Sequence, residues 1–353
     1  MKILITGSCG FAGINICKSL LLARSKLEIT GLDNLSRKGS EHNVSKLQEF
    51  GVSLLRKDIR NVSDIEGLER FDWIIDCSAN PSVLAGINGE SSSRQLIEHN
   101  LLGTINLLEY CKLHRTGLIL LSTSRVYSAN SLAKIPIKEN KDHFKIGSAR
   151  ELPGLSGKGI NEDFPTSPPL SLYGTSKLSS ENLALEYGEN FDFPVWINRC
   201  GVMAGAGQFG KAEQGIFSFW IHSFREKKPL KYIGFGGSGF QVRDVMHPKD
   251  LEPLLWKQMQ FPEKEVPRII NLGGGIEQSM SLKQLSQWCE DRFGLIEIAS
   301  SKEERPMDAP WIVMDSSLGQ RMWNWAPATR IDNILDEVAI HAEKNPNWLN
   351  LSS

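Results

Sequence analysis

Short runs of consecutive apolar residues alternate along the chain with longer stretches where apolar positions recur every three to four residues. The runs KILIT (2–6), LEITGLD (27–33), VSLLRKD (52–58), DWIIDCS (72–78), GLILLST (117–123) and FPVWINR (193–199) predict strands. FAGINICKSLLLA (11–23), SRQLIEHNLLGTINLLEYCKLH (93–114) and the stretch opening at SLYGTSK (171–177) predict helices, with another near 40–49. Strands that are apolar throughout must be covered on both faces, and strand–helix alternation supplies that cover in a parallel sheet. Beyond residue 200 the pattern loosens. GVMAGAGQFGKAEQG (201–215) is Gly-rich, FGGSGFQVRDVMH (235–247) reads as a turn and a strand, and RIINLGGG (268–275) reads as one more sheet strand. The expectation is an α/β chain with a doubly wound parallel sheet and a smaller C-terminal substrate lobe. Residues 1–200, with 244–277 returning to the sheet, form the first part; 201–243 and 278–353 form the lobe. The polar segment 128–170 is long for a connection, which marks it as functional or mobile.

Composition narrows the classes. The chain has 353 residues, 41% hydrophobic and 23% charged, with a net charge of −1. No global field would draw it to nucleic acid or an anionic membrane. No apolar run approaches the ~20 residues of a membrane span. The start lacks a cleavable apolar leader, so a cytoplasmic location is expected. The six cysteines are scattered without a C-x-x-C pair, and the seven histidines do not cluster. Reduced thiols and no metal site are the reading.

TGSCGFAG (6–13) joins the first strand to the first helix, with Gly7, Gly10 and Gly13 spaced G-x-x-G-x-x-G. Such a turn lets a pyrophosphate approach the backbone and places it at a helix N-terminus. A tight ligand-free turn is the bland alternative. Asp33 ends the second strand 20 residues after Gly13, where a carboxylate accepts from both ribose hydroxyls and repels a 2′-phosphate. That favours NAD in a Rossmann-type crevice, although Arg37 and Lys38 follow closely.

Tyr173 and Lys177 lie four residues apart, one helical turn, and Ser122 and Thr123 end a buried strand. A phenol has a pKa of ~10 and needs a neighbouring cation to take a proton from an alcohol near neutral pH. The expected roles are Tyr173 as base, Thr123 as a hydrogen-bond donor to the reacting oxygen, and Lys177 as the group that lowers the phenol pKa and holds the nicotinamide ribose.

The ordered set of glycine turn, Asp33, Ser-Thr and Y-x-x-x-K resembles the extended short-chain dehydrogenase/reductase family over nearly the whole chain. The resemblance implies NAD as cofactor and further contacts from Phe11, Asn34, Ser36, Arg37, Asp58, Ile59, Ser78, Ala79, Asn80, Asn100 and Arg199. It also implies a homodimer or higher homo-oligomer packed through helices 93–114 and 171–189. Leu101, Ile105, Leu108, Leu178 and Leu183 would line that contact or else face the chain's own sheet.

Dehydratases of this family place Asp-Glu directly after the catalytic Thr, whereas here Thr123 precedes Ser124-Arg125-Val126-Tyr127. That argues against dehydration. The strings S-T-S-R-V-Y, G-I-N-E-D-F-P, S-L-Y-G-T-S-K, N-R-C-G-V, G-K-A-E-Q-G and Q-V-R-D-V-M-H resemble CDP-tyvelose (CDP-paratose) 2-epimerases. The implied activity is inversion of a nucleotide-diphosphate hexose through a keto sugar. A UDP-sugar 4-epimerase or a nucleotide-sugar reductase is the alternative. Candidates for substrate contact are Asn80, Ser124, Arg125, Lys211, Gln214, Arg243 and Arg305, since an arginine fork matches a diphosphate. Arg243 could instead pair with a local acid such as Asp244, and Lys211 could be a solvated loop residue. Val202 and Ser128 depart from the commoner Asn and Gly at their positions.

Overall fold

The structure is a computed structural model that describes residues 1–87, 92–147, 152–211, 214–261 and 266–352. Seven parallel strands form its main sheet: β1 (Lys2–Thr6), β2 (Glu28–Leu32), β3 (Ser53–Leu55), β4 (Trp73–Asp76), β5 (Gly117–Thr123), β6 (Val195–Cys200) and β7 (Ile269–Leu272). Their spatial order is β7-β6-β5-β4-β1-β2-β3. The order therefore reverses between β1 and β4, which opens a crevice at the C-terminal strand ends.

Alternation along each strand feeds two cores. Ile3, Ile5, Ile75 and Ile119 pack on one face with Ile16, Cys17 and Leu20 of α1 (Phe11–Ala23) and with Leu251, Leu254 and Leu255. Leu4, Ile74, Leu118 and Leu120 pack on the other with Leu107, Leu108 and Cys111 of α2 (Gly103–His114) and Ala184 of α3 (Leu172–Phe191). All these side chains are essentially fully buried. Each of the leucines and isoleucines contributes ~1.5–3 kcal/mol by leaving water, so neither layer of helices is dispensable. Leu108 and Leu183 turn to the chain's own sheet, whereas Leu178 packs against a separate cluster around Tyr127 and Phe164.

The stretch 93–114 departs from one regular helix. Ser93–Ile97 is α-helical, Glu98–Leu102 forms a π-helical turn, and α2 follows. Among the described residues of the segment expected to return to the sheet, only β7 pairs there. Val242–Met246, which carries Asp244, belongs to a small sheet with Val202–Met203, Ser279–Ser281 and Trp311–Ile312. That sheet packs with α4 (Ile216–Arg225) and the helices Leu282–Phe293 and Ile331–Lys344 around a third core.

The described part of 128–170 carries short antiparallel strands. Its hairpin, Ile137–Asn140 with His143–Ile146, docks on the third region. Phe144 N–H donates to the Phe240 carbonyl at 3.0 Å, and Ser281 Oγ donates to the Asp142 carbonyl at 2.7 Å. The Phe144 ring meets those of Phe235 and Phe240 edge-on, 5.8 Å between centroids. No described helix is long and apolar enough to cross a membrane.

Candidate active site

The crevice at the strand-order reversal has a volume of about 380 Å³. Gly7, Gly10 and Gly13 form its floor. Gly7 sits at φ +62°, and a Cβ on Gly13 would overlap the Gly7 carbonyl oxygen. The turn is thus a cradle that side chains would fill. No side chain caps the start of α1 and no acid occupies its first turn. The free amides and the positive helix end fit an anionic pyrophosphate.

Phe11, Asp33, Asn34, Ser36, Arg37, Ile59, Ser78, Ala79, Ser122, Thr123, Ser124, Arg125, Tyr173 and Gln214 all line this crevice. Asp33 also braces the cradle: its carboxylate accepts from Cys9 N–H and Leu35 N–H, both at 2.9 Å. Burial pushes its pKa up, and those two amides pull it back. Arg37 donates to the Phe209 carbonyl at 3.0 Å and lies over the Phe209 ring. Phe209 in turn stacks on Trp348, 5.2 Å between centroids.

Several of the expected contact residues do not line the crevice. Asp58 spends its carboxylate on Arg60 at 2.6 Å and on Asn34 at 3.0 Å, bonds that hold its pKa well below the usual range despite its burial. Ile59 beside it, not Asp58, reaches the crevice wall. Arg199 faces away from the crevice, forked onto Glu181 of α3 with a closest approach of 2.7 Å. Glu181 also accepts from Ser122 Oγ. A buried arginine must find a buried acid, and α3 supplies one behind β5. Asn100, on the π-helical turn, supports the wall from behind. It accepts from Asn80 N–H at 2.8 Å, donates to the Asn80 carbonyl at 3.1 Å, and donates to Ser176 of α3 at 3.1 Å. Asn80 is accordingly held through its backbone, and its side-chain oxygen turns to Ser82 N–H.

Tyr173 and Thr123 face each other at the inner end. Thr123 Oγ1 accepts from Arg125 N–H at 3.2 Å, and its own hydroxyl is within hydrogen-bonding reach of the Tyr173 phenol. Cys200 sits in register beside Thr123 and lines the same wall. Lys177 is buried, 2% exposed, one turn along α3. The expected acidic phenol is not what the protein alone provides. Burial pushes Tyr173 up to about 12, and Thr123 and Arg125 only partly oppose it. Desolvation of the anion outweighs the Thr123 hydroxyl and the more distant Arg125 charge. Burial holds the nearby thiols of Cys77 and Cys200 neutral, Cys200 at about 12, against the pull of the Lys177 charge.

A second pocket of about 140 Å³ adjoins the first through Arg125, Val202 and Gly215, which line both. Arg243 and Arg305 join Arg125 there. The acid that binds Arg243 is Asp308, at 2.7 Å, not its neighbour Asp244. Asp244 is buried and accepts from Gly275 and Met314 N–H, and burial raises its pKa to about 7. Lys211 and Gln214 exchange backbone hydrogen bonds of 2.7 and 3.0 Å, and the Lys211 side chain points to solvent. Ala212 and Glu213 of the same string lie outside the described residues. Among the described residues no cluster could hold a metal. Sequence reasoning passed over Phe209, Cys200 and Asp308. Only Asp308, three residues after Arg305, carried a readable signal.

Residues 3–273 match the NAD dependent epimerase/dehydratase family. The chain belongs to that family. It is accordingly an enzyme that uses NAD, and the glycine cradle, the uncapped helix start and Asp33 fit the cofactor. Among relatives in the family, CDP-paratose 2-epimerase of Salmonella typhi is 28% identical, covering 93% of this chain and 95% of that protein. UDP-glucuronate 4-epimerase of Thermodesulfobacterium geofontis is 24% identical over 97% of this chain and 96% of its own. The crystal structure of UDP-glucuronic acid 4-epimerase from Bacillus cereus, complexed with UDP-glucuronic acid and NAD, superposes with a TM-score of 0.77. It is 24% identical and covers 98% of this chain and 99% of that one, a likeness of fold.

Proposed function

We propose that this enzyme is an isomerase that inverts one carbinol carbon of a nucleotide-diphosphate hexose, at the 2-position of a CDP-linked sugar. The observation that carries this reading is the continuity of the cofactor crevice with the arginine pocket. A sugar spanning the junction has its diphosphate among Arg243 and Arg305 and a hydroxyl between Thr123 and Tyr173. Bound NAD supplies a hydride acceptor that can give the hydride back. Thr123 donates a hydrogen bond to the reacting sugar oxygen, and Tyr173 as phenolate takes its proton. The keto sugar turns over in the crevice, and Tyr173 returns the proton when the hydride arrives on the opposite face. Orientation and hydrogen bonds to the developing alkoxide carry most of the rate, with proton transfer adding ~100- to 10,000-fold.

The 28% likeness to a CDP-paratose 2-epimerase supports the base and the position. The UDP-glucuronate relative favours a second reading, a UDP-sugar 4-epimerase. Incubation with CDP- and UDP-hexoses in deuterated water, followed by NMR, separates them. A CDP-sugar inverted at carbon 2 without solvent deuterium at that carbon is expected. Inversion of UDP-sugars alone, or deuterium at the inverted carbon, would overturn it. We also propose a homodimer through α2 and α3, to be checked by sedimentation.

A further inference from the structure

We propose that Phe209 is a positioning residue that covers the adenosine end of the crevice and sets how long NAD stays bound. The inference goes beyond the epimerase reading and holds for whichever sugar is turned over. Phe209 lies in the segment 205–211, which reaches from the start of α1 to the loop after Asp33. A Cβ on Gly205 would come within 3.3 Å of the Phe11 ring. A Cβ on Gly39 would stand 2.5 Å from the Phe209 ring, so the absent side chain leaves that ring its seat. Arg37 donates to the Phe209 carbonyl, and its guanidinium lies 5.8 Å from the ring centroid. Phe11, Asp33, Arg37, Gln208 and Phe209 all line the crevice. The segment is therefore crevice wall near Asp33, the acid that fits the ribose.

The C-terminal turn Trp348–Ser352 fixes this wall from outside the crevice. Trp348 lines neither pocket. Its ring lies 10° from parallel to that of Phe209, 5.2 Å between centroids. Its indole N–H donates to the Gln208 carbonyl at 2.9 Å, and Ser218 Oγ donates to the same carbonyl at 2.8 Å. The Gln208 side-chain amide donates in turn to the Met203 carbonyl at 2.8 Å. His341 meets the indole edge-on, 4.6 Å between centroids. Phe209 is 1% exposed and Trp348 6%, so the stack is dry. A stacked pair is worth more than the area it buries, and a cover held by such contacts opens rarely. Exit of the dinucleotide waits on that opening, so loosening the stack raises the off-rate more than it changes the on-rate.

The test needs no sugar. Protein loaded with radiolabelled NAD is diluted into excess unlabelled NAD, and the label retained is followed with time. Phe209→Leu, which keeps apolar bulk and gives up the stack, should release NAD about tenfold faster. Trp348→Leu should do the same, although that residue stands outside the crevice, and it decides the matter where Phe209→Leu does not fold. The double variant should be no faster than either single one, because Trp348 acts through Phe209. By calorimetry, ADP should lose affinity in step with NAD, while nicotinamide mononucleotide should not. Unchanged release in a folded Phe209→Leu or Trp348→Leu would overturn the proposal. So would multiplying effects in the double variant, or an equal loss of affinity for nicotinamide mononucleotide. A lowered melting temperature with unchanged release would make the stack structural only and would overturn it as well.

Discussion

The two ends of the groove are built by different means. The cofactor end is a backbone device: a glycine turn, an uncapped helix and one braced carboxylate, most of it within 33 residues of the start. The arginine end is a side-chain device whose members, Arg125, Arg243 and Arg305, come from three distant stretches. A backbone cradle fits any ligand with the right phosphates, so it suits a shared cofactor. A pocket of converging side chains can be altered one residue at a time, so it suits a particular substrate. The two meet at Tyr173, Thr123 and Arg125.

If the ends are separable and the junction serves both, substitutions should sort accordingly. The largest effect belongs to the junction: Tyr173→Phe should lower kcat by ~100- to 10,000-fold with NAD affinity unchanged by calorimetry. Next comes Gly13→Val, whose side chain must displace the Gly7 carbonyl. It should cost ~1–3 kcal/mol of stability and abolish NAD binding, measured by denaturation and by cofactor retention. Arg243→Met should raise the KM for the nucleotide sugar by ~10- to 100-fold and leave the Kd for NAD alone. Because Asp308 would lose its partner, that variant should also be less stable, and adding Asp308→Asn should recover stability without recovering KM.

The smallest effect concerns the lobe itself and is one of pH. Burial lowers His222 to about 3 and His341 to about 4, and the two rings meet at 3.4 Å between α4 and Ile331–Lys344. Below about 6.5 the unfolded chain binds these protons and the folded chain does not. Stability is therefore full above about 6.5 and falls as pH drops toward 3, by up to ~1.4 kcal/mol per unit for each ring. His222→Gln should flatten that slope in thermal melts, while NAD binding at neutral pH stays as it is.

The sheet was legible because its central strands are apolar on both faces, and the expected and observed bounds of β1, β5 and α1 coincide. The break in 93–114 was not, since a π-helical turn keeps the apolar recurrence of a helix while rotating Asn100 toward Asn80. Asp58 and Arg199 stand outside the crevice lining for a related reason. Each stands at a family position, but the side chain's direction depends on a partner, Arg60 or Glu181, that no local pattern names. The phenol of Tyr173 was read from spacing to Lys177, and spacing carries no information about how deeply the crevice buries it.

The hairpin 137–146 holds the loop before Val242 and the start of Leu282–Phe293 without contributing a residue to either pocket. Gln241 and Leu282, which those contacts fix, stand in the arginine pocket's wall. A segment remote from Tyr173 and Thr123 thus braces the wall of the arginine pocket, so that pocket's shape depends on a hairpin far upstream in the chain.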